Sequence, residues 1–245
     1  MRRLSGKTYW LVGASEGLGR ALAQRLSKAG CTLVLSARTE ASLQELAGSL
    51  PGPARVVTCD VSDRASVEAA AAEAGDVDGM VYLAGLYWPQ PAQEWDAAQV
   101  EAMFDVNLTG AARVLGQVVP PMVARGAGHL VIVGSLSGYR GLPGSVGYSS
   151  SKAGLMHLAE SMHADLRGSG VYVQLANPGF VRTRLTEKND FTMPFLMEPA
   201  QAAEEIFTLM RSSTFQRAFP RLFSLVFRCG NLLPDWAYYR IFARK

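Results

Sequence analysis

Long apolar runs and clusters of metal ligands are absent from this sequence of 245 residues. No uninterrupted apolar stretch reaches the roughly 18 residues of a membrane-spanning helix, and the first residues lack the apolar centre of a secretory signal. The three cysteines stand far apart, outside any zinc-ligand pattern. We therefore expect reduced thiols, a cytoplasmic location and no bound metal.

A strong excess of one charge is also absent. Lys and Arg number 24 against 21 Asp and Glu, and the basic residues are scattered except near the C-terminus. Nucleic-acid-binding proteins usually concentrate basic residues in one footprint, so this partner class is not expected. With 49% apolar and 18% charged residues, the chain can build a sizeable core. No Pro/Gly/Ser-rich linker divides it, so residues 1–245 are predicted to form a single domain.

A glycine-rich turn joins the first predicted strand, residues 8–12, to a helical pattern. Its candidate cofactor-binding residues are Gly13, Ser15, Glu16, Gly17, Leu18 and Gly19. Glycines permit positive φ angles and let the main chain approach a pyrophosphate at the positive end of a helix dipole. Strand, turn and helix together predict a dinucleotide phosphate site; the alternative is a glycine turn that binds no ligand.

The residues after the second predicted strand, residues 32–36, bear on the choice of cofactor. An acidic residue there accepts a hydrogen bond from a ribose 2′-hydroxyl, whereas a guanidinium pairs with a 2′-phosphate. Positions 35–39 contain no Asp or Glu but do contain Arg38, with Ser36 and Thr39 as helpers. NADP(H) is therefore predicted in preference to NAD(H); the alternative is that Arg38 is an ordinary solvated residue.

The residues that follow the third and fourth predicted strands are also candidates for cofactor contact. They are Asp60 and Val61 after residues 55–59, and Ala84 and Gly85 after residues 79–83. The Asp60 carboxylate can accept from an adenine amino group, it can cap the next helix together with Ser62 and Asp63, or it can do both. The small pair after the fourth strand lets that loop lie against the cofactor.

A serine, a tyrosine and a lysine then follow in an order that suits carbonyl chemistry. Ser135 ends the fifth predicted strand, residues 131–134. Tyr148 and Lys152 open a predicted helix; four residues apart, they share one helical face and can reach a common site. A nearby ammonium, together with the positive charge of an oxidised nicotinamide, favours phenolate and lowers the pKa of the Tyr148 phenol, which makes it a usable acid/base. Ser135 would hold the substrate oxygen, and Lys152 would also bind the nicotinamide ribose.

In this order, the motifs resemble the classical short-chain dehydrogenase/reductase family from Lys7 to about Arg184. The residues that carry the resemblance are Gly13, Gly17, Gly19, Asp60, Ala84, Gly85, Asn107, Ser135, Tyr148, Lys152 and the segment 177–183. The resemblance implies an NADP(H)-dependent oxidoreductase that interconverts a carbonyl and a secondary alcohol. The implied fold is α/β, a doubly wound Rossmann-like three-layer sandwich with a mainly parallel sheet, here with a helical C-terminal extension. The resemblance also implies a homodimer or homotetramer.

The same resemblance implies roles that local patterns do not reveal. Asn107 should interrupt its helix and hold a water that relays protons between Lys152 and solvent. It would complete a catalytic tetrad with Ser135, Tyr148 and Lys152. The residues implied to turn beneath the nicotinamide and to contact its carboxamide are Pro178, Gly179, Val181 and Thr183.

Two positions depart from the family pattern. Val12 stands where the family usually has Thr, and Leu83 where it usually has Asn. The usual side chains are expected to support neighbouring strand ends with hydrogen bonds. Replacing such groups by apolar ones of suitable shape can be nearly neutral, so a site able to bind the cofactor is still expected.

Residues 185–197 take the place of the mobile substrate lid of the family. Apolar candidates for the lid and the pocket wall are Phe191, Met193, Phe195, Leu196 and Met197, with Tyr87, Trp88, Leu136, Tyr139, Leu142 and Phe180. Mostly apolar walls suit a lipophilic carbonyl or alcohol. The alternative is that these side chains only pack the lid against the domain.

Residues 215–245 are predicted to replace the usual last strand and short glycine-rich tail. Aromatic residues alternate there with basic ones up to Arg244 and Lys245, and leucines and valines add a helical apolar stripe. The segment can close the substrate pocket, form a subunit contact, or lie on a membrane surface as a basic amphipathic segment. Packing within the chain is the preferred interpretation.

Two other classes of function fit the same sequence. A non-catalytic nucleotide-binding or regulatory protein can keep this fold, because fold does not fix function. A structural protein held at a membrane by its tail is the other. The complete tetrad favours the enzyme.

Overall fold

The computed structural model describes residues 1–242; Arg244 and Lys245 of the predicted basic tail lie outside the described residues. Seven strands form one sheet in the order β3-β2-β1-β4-β5-β6-β7. Their bounds are β1 Thr8–Val12, β2 Thr32–Ser36, β3 Ala54–Val56, β4 Gly79–Tyr82, β5 Gly128–Val133, β6 Val171–Pro178 and β7 Gln216–Phe219. Every neighbouring pair is parallel.

Helices cover both faces of this sheet. Their bounds are α1 Gly17–Lys28, α2 Glu40–Ser49, α3 Arg64–Ala74, α4 Ala97–Phe104, α5 Gly110–Ala124, α6 Val146–Asp165, α7 Pro199–Arg211, α8 Arg221–Gly230 and α9 Asp235–Phe242. One core cluster joins α1, α2 and α7 to the sheet, and a second joins α3, α5 and α6 to its other face. The strands are nearly continuous apolar runs because both faces are buried. The predicted doubly wound α/β fold is confirmed.

Several element boundaries differ from the sequence prediction. The bounds of β1 and β2 agree, but β3 is shorter than the predicted 55–59, and β5 begins three residues earlier than predicted, at Gly128. The predicted absence of a last strand was wrong, because β7 pairs with β6. This strand has four residues, and only Phe219 is buried, so its sequence carries almost no alternating pattern.

Candidate active site

The loops that follow β1, β4, β5 and β6 meet at the carboxyl edge of the sheet. The strand order switches at β1: β2 and β3 lie on one side of it, and β4 to β7 lie on the other. Open parallel sheets bind ligands in the crevice at such a switch in strand order. The predicted residues that these loops bring to the edge are Gly13, Ser15, Glu16, Gly17, Leu18, Gly19, Ala84, Gly85, Ser135, Pro178, Gly179, Val181 and Thr183.

The glycine turn has no room for side chains. A Cβ on Gly13 would lie 2.5 Å from the Ala84 nitrogen, and one on Gly19 would lie 2.0 Å from the Gly13 oxygen. Gly17 has a φ of 50°. The side chain of Glu16 does not cap α1. The first amides of this helix therefore point towards the crevice without a side-chain acceptor, and these residues fit a dinucleotide pyrophosphate.

Apolar packing and a main-chain bond replace the polar groups expected at positions 12 and 83. Val12 is 1% exposed within one core cluster, and Leu83 packs against the other. The Leu83 amide donates to the Val12 oxygen at 2.8 Å, which joins the two strand ends. Both departures from the family pattern are thus accommodated in the fold.

At the predicted adenosine end, Arg38 is exposed immediately beyond β2. Ser36, in contrast, points into the core: its hydroxyl accepts from the Trp10 indole at 2.8 Å and donates to the Val57 oxygen at 2.6 Å. The expectation that Ser36 helps Arg38 was wrong, because these two bonds occupy the hydroxyl. Thr39 is exposed beside Arg38.

Asp60 forms a local turn after β3. Its carboxylate accepts from both the amide and the hydroxyl of Ser62, at 2.9 and 2.6 Å. Asp63, and not Asp60, caps α3 by accepting from the Ala65 amide at 3.0 Å. Asp63 therefore has the capping role. Adenine contact stays the predicted role of Asp60.

Ser135, Tyr148 and Lys152 lie together beyond β5. The Ser135 hydroxyl accepts from the amide and the hydroxyl of Ser137, at 3.2 and 2.9 Å. Lys152 is 4% exposed, and its ammonium donates to the Val133 oxygen at 2.9 Å. The same ammonium lies 5.9 Å from the centre of the Tyr148 ring. Position 148 falls in the first turn of α6, which aims its side chain back towards the end of β5.

Burial shifts the pKa values of both Tyr148 and Lys152. It raises the pKa of the Tyr148 phenol to about 12, while hydrogen bonding with Ser135 opposes the rise. Burial also lowers the pKa of the Lys152 ammonium to about 8. In the protein without its cofactor, burial therefore dominates the pKa of Tyr148, and the lowering expected from the ammonium together with the nicotinamide charge stays a prediction. Loss of hydration outweighs the ammonium, which is itself bound to a main-chain oxygen.

Asn107 lies in a π-helical turn, Asp105–Thr109, between α4 and α5. The side chain bridges two segments: its oxygen accepts from the Leu86 amide at 2.7 Å, and its nitrogen donates to the Leu86 oxygen and the Ser151 hydroxyl, both at 2.9 Å. The Ser151 hydroxyl in turn donates to the main-chain oxygen of Tyr148 at 2.9 Å. Asn107 thus holds the loop after β4 against the start of α6.

Tyr87 connects the candidate catalytic group with the lid. Its ring meets the Tyr148 ring edge-on at 5.0 Å, and its hydroxyl donates to the Asn189 side chain at 2.7 Å. The Lys188 ammonium donates to the main-chain oxygen of Tyr87 at 2.8 Å and lies 4.4 Å from the centre of the Trp88 ring. These polar contacts of the lid were missed, because the sequence drew attention only to its apolar residues.

The apolar side of the lid is only partly covered. Phe191 contacts Phe180 and Phe195 contacts Phe223, with ring centres 5.8 and 5.5 Å apart, yet Phe191 and Phe195 are 50% and 56% exposed. Tyr139, another predicted wall residue, accepts hydrogen bonds from Asn177 and Gln216. Its hydroxyl thus supports the fold.

An ion pair joins the glycine turn to the base of the lid. The guanidinium of Arg184 pairs with the carboxylate of Glu16. A Cβ on Gly17 would lie 2.7 Å from the methyl carbon of Thr183, so the two loops also touch. Arg184 was not among the predicted site residues, because a single exposed arginine has no distinguishing pattern in sequence.

The C-terminal helices pack their inner face against the substrate side. Phe223 and Phe227 form a cluster with Leu136, and Tyr139, Leu142 and Phe180 pack against it. A Cβ on Gly179 would lie 3.1 Å from the Phe223 ring, so α8 supports the predicted nicotinamide turn. For this inner face, the preferred interpretation of packing within the chain agrees with the structure.

Neither a membrane-spanning helix nor a metal centre is found in residues 1–242. None of the helices described is both long and apolar enough to cross a membrane. No three His, Cys, Asp or Glu side chains in that part of the chain are grouped so that they could hold a metal ion.

Comparison with known proteins gives consistent results. The family model described as short chain dehydrogenase matches residues 7–193. A protein of Myxococcus xanthus described as an uncharacterized oxidoreductase is 39% identical over 242 residues, 96% of either chain. Sulfoacetaldehyde reductase 2 of Chromohalobacter salexigens is 38% identical over 184 residues, 72% of this chain and 73% of the relative. A short chain dehydrogenase of Burkholderia cenocepacia, solved in complex with NADP, has the same fold, with a TM-score of 0.88 over 100% of both chains at 22% identity.

Proposed function

This chain belongs to the short-chain dehydrogenase/reductase family of oxidoreductases, and we propose that it interconverts a carbonyl and a secondary alcohol with NADP(H), using Tyr148 as the acid/base. The observation that carries the proposal is the grouping of Tyr148, Ser135 and Lys152 beyond β5, beside a glycine turn that fits a pyrophosphate. These are the groups that proton transfer to a reduced carbonyl requires.

NADP(H) bound at the glycine turn would supply the hydride to the carbonyl carbon in reduction and would take the hydride up again in oxidation. Ser135 donates a hydrogen bond to the carbonyl oxygen and holds it beside the Tyr148 phenol. Tyr148 gives its proton to that oxygen as negative charge develops, which leaves a phenolate and releases an alcohol. In oxidation the phenolate accepts the alcohol proton. Lys152 stabilises the phenolate by its positive charge, and Asn107 holds the loop and helix that flank this group.

Preference for NADP(H) rests on the end of β2. Arg38 is exposed there, and no carboxylate occurs at positions 35–39 to accept from a 2′-hydroxyl. A guanidinium forms charge-assisted hydrogen bonds with a 2′-phosphate, and the carboxylate that would repel this phosphate is missing.

A lipophilic carbonyl or alcohol is the proposed substrate class. The side chains between the catalytic group and α8 are mainly apolar and aromatic, including Tyr87, Phe180 and Leu136. Apolar walls with few polar anchors favour ligands that are themselves largely apolar.

A Tyr148→Phe variant tests the proposed role of the phenol. NADPH oxidation would be followed with a panel of aliphatic, aromatic and steroid-like ketones, and NADPH binding by fluorescence. Loss of the proton donor should lower turnover by at least about a hundredfold and leave NADPH binding unchanged. Tyr172→Phe is the matched control, because Tyr172 is 59% exposed on β6.

Two outcomes would contradict the proposal. Wild-type turnover in Tyr148→Phe would show that the phenol takes no part in the reaction. Wild-type protein that binds NADPH but reduces no ketone in the panel would instead favour the non-catalytic nucleotide-binding alternative.

A further inference from the structure

The C-terminal segment 221–242, which contains α8 and α9, exposes an unusual number of large apolar side chains. They are Leu222, Leu225, Val226, Leu232, Trp236 and Ile241, with exposed fractions from 47% to 85%. The first three share one side of α8, because they are spaced three and four residues apart. Several large apolar side chains exposed on one side of a helix, as on α8, often mark an interaction site. We call these six side chains the outer tail face.

Three exposed arginines lie on the same two helices as the outer tail face. Arg221, Arg228 and Arg240 are exposed, and none pairs with a carboxylate within the described residues. Asp235 is the acidic residue of the segment 221–242, and it is paired with Arg140 at 2.5 Å. Arg221 and Arg228 are seven residues apart, so they lie along the same side of α8.

We propose that the outer tail face docks on the surface of an anionic lipid bilayer. Apolar and aromatic side chains flanked by arginines favour the interface of a negatively charged membrane, where the rings reach the acyl boundary and the guanidinium groups meet lipid phosphates. A second copy of the chain is a poorer occupant. Two-fold pairing joins the same patch of each copy. This patch carries arginines and its one carboxylate, Asp235, is already paired with Arg140, so neither copy offers the other's arginines an opposite charge.

The helix pair is held in place before any membrane contact. Phe223 and Phe227 are buried against the domain. The Arg140 guanidinium donates to the Gly230 and Leu233 oxygens, both at 2.8 Å, and stands 4.0 Å from the centre of the Tyr238 ring. Docking therefore orders no disordered segment and loses little conformational entropy.

Sedimentation with lipid vesicles tests the proposal in the full-length protein without substrate or cofactor. Binding is expected to phosphatidylcholine vesicles that contain phosphatidylglycerol, at low salt, and not to vesicles of phosphatidylcholine alone. Exchanging both Arg221 and Arg228 for Gln should weaken binding by about tenfold or more. Exchanging Arg64 and Arg167, two exposed arginines on α3 and beyond α6, for Gln should leave it unchanged. Thermal unfolding verifies that each variant is folded.

Tryptophan emission gives an independent readout of the docked face. Trp236 is 74% exposed, so its transfer to the lipid interface should shift the emission to shorter wavelength when anionic vesicles are added. Trp236→Phe should abolish this shift, whereas Trp95→Phe, at a tryptophan 57% exposed elsewhere, should retain it.

Three results would overturn the proposal. The first is failure of the folded protein to sediment with anionic vesicles at low salt. The second is equal loss of binding in the two arginine pairs. The third is a Trp236 shift that depends on protein concentration in the absence of lipid, which would assign the face to a second copy of the chain. Sedimentation and tryptophan emission are measured without turnover. A protein that reduces no ketone would therefore contradict the proposed reaction and leave the docking proposal unaffected.

Discussion

Lys152 is a buried cation, and its effect on the free energy of unfolding depends on pH. Its pKa is about 8 in the folded protein, against 10.5 for the free side chain. Between these values the unfolded chain keeps a proton that the folded chain has lost, so folding becomes more favourable as pH rises. The direction is opposite to that of a lysine stabilised by a carboxylate.

Urea unfolding of the wild type and Lys152→Met measures this effect. The free energy of unfolding of the wild type, relative to the variant, should rise by about 2 kcal/mol between pH 7 and pH 10. The upper limit is set at pH 10 because Tyr148, with its raised pKa, destabilises the folded state only above that value. Lys28→Met, at an exposed position on α1, should show no such trend. A difference that stays flat or falls with pH would contradict the prediction.

Arg38 gives a prediction about the choice of cofactor. Arg38→Gln should weaken NADPH binding by about tenfold or more and leave NADH binding nearly unchanged, because hydrogen bonds to charged groups contribute about 1.5–3 kcal/mol. Isothermal titration with both nucleotides measures the ratio, and Arg167→Gln is a control for the loss of one exposed positive charge. An equal loss for both nucleotides would show that Arg38 does not discriminate between them.

Spacing along the chain identified some site residues and concealed others. Tyr148 and Lys152 were found because four residues make one helical turn, and Ser135 because it ends an apolar strand. The direction of the Ser36 hydroxyl was not foreseen, since its partners lie elsewhere in the chain, Trp10 on β1 and Val57 immediately after β3. The Glu16–Arg184 pair joins residues 168 apart in sequence, which no local pattern reports.

Among the elements, the π-helical turn Asp105–Thr109 has the most specific connection to the site. Asn107→Ala would leave the Leu86 amide and oxygen without the partners they have in the wild type. Unpaired buried groups cost about 1–3 kcal/mol each, and Leu86 is half-buried, so unfolding free energy should fall by about 2 kcal/mol. Urea denaturation measures the loss, with the exposed Asn231→Ala as control. Equal stability of the two variants would show that the bridge does not support the fold.

Element boundaries were predicted best where apolar runs are long. β1 and β2 consist of five residues each with four buried side chains, and their predicted and observed limits coincide. β7 has one buried side chain in four and depends on pairing with β6, so its sequence alone gave no signal. The π-helical turn was foreseen only as an interruption implied by the family resemblance.

At the scale of the whole molecule, the alternation of strands and helices indicated a doubly wound sheet but not the two roles of its C-terminal extension. The inner residues of α8 and α9 pack on the substrate side, whereas the outer tail face is exposed. An amphipathic stripe shows in sequence that a helix has two faces. It does not show which core receives the apolar one, or that apolar residues remain on the other.

Arg140 is the polar connection between this extension and the rest of the chain. Its guanidinium binds the Gly230 and Leu233 oxygens and the carboxylate of Asp235, which lie at the end of α8 and the start of α9. Arg140→Met keeps an apolar stem beside Tyr238 but leaves these oxygens without their charged donor. Because the bonds are confined to one junction, their loss should open the helix pair locally and leave the sheet intact.

Hydrogen exchange measured by mass spectrometry tests this localisation. In Arg140→Met, amides of residues 221–242 should exchange at least about tenfold faster than in the wild type, since hydrogen bonds to a charged group contribute about 1.5–3 kcal/mol. Peptides of β4 and β5 should keep their protection. Arg221→Met, at an exposed arginine on α8 with no ion pair among the described residues, should leave both regions unchanged. Faster exchange spread evenly over the sheet would mean that the extension unfolds together with the domain, and Arg140 would then stabilise the whole fold and not one junction.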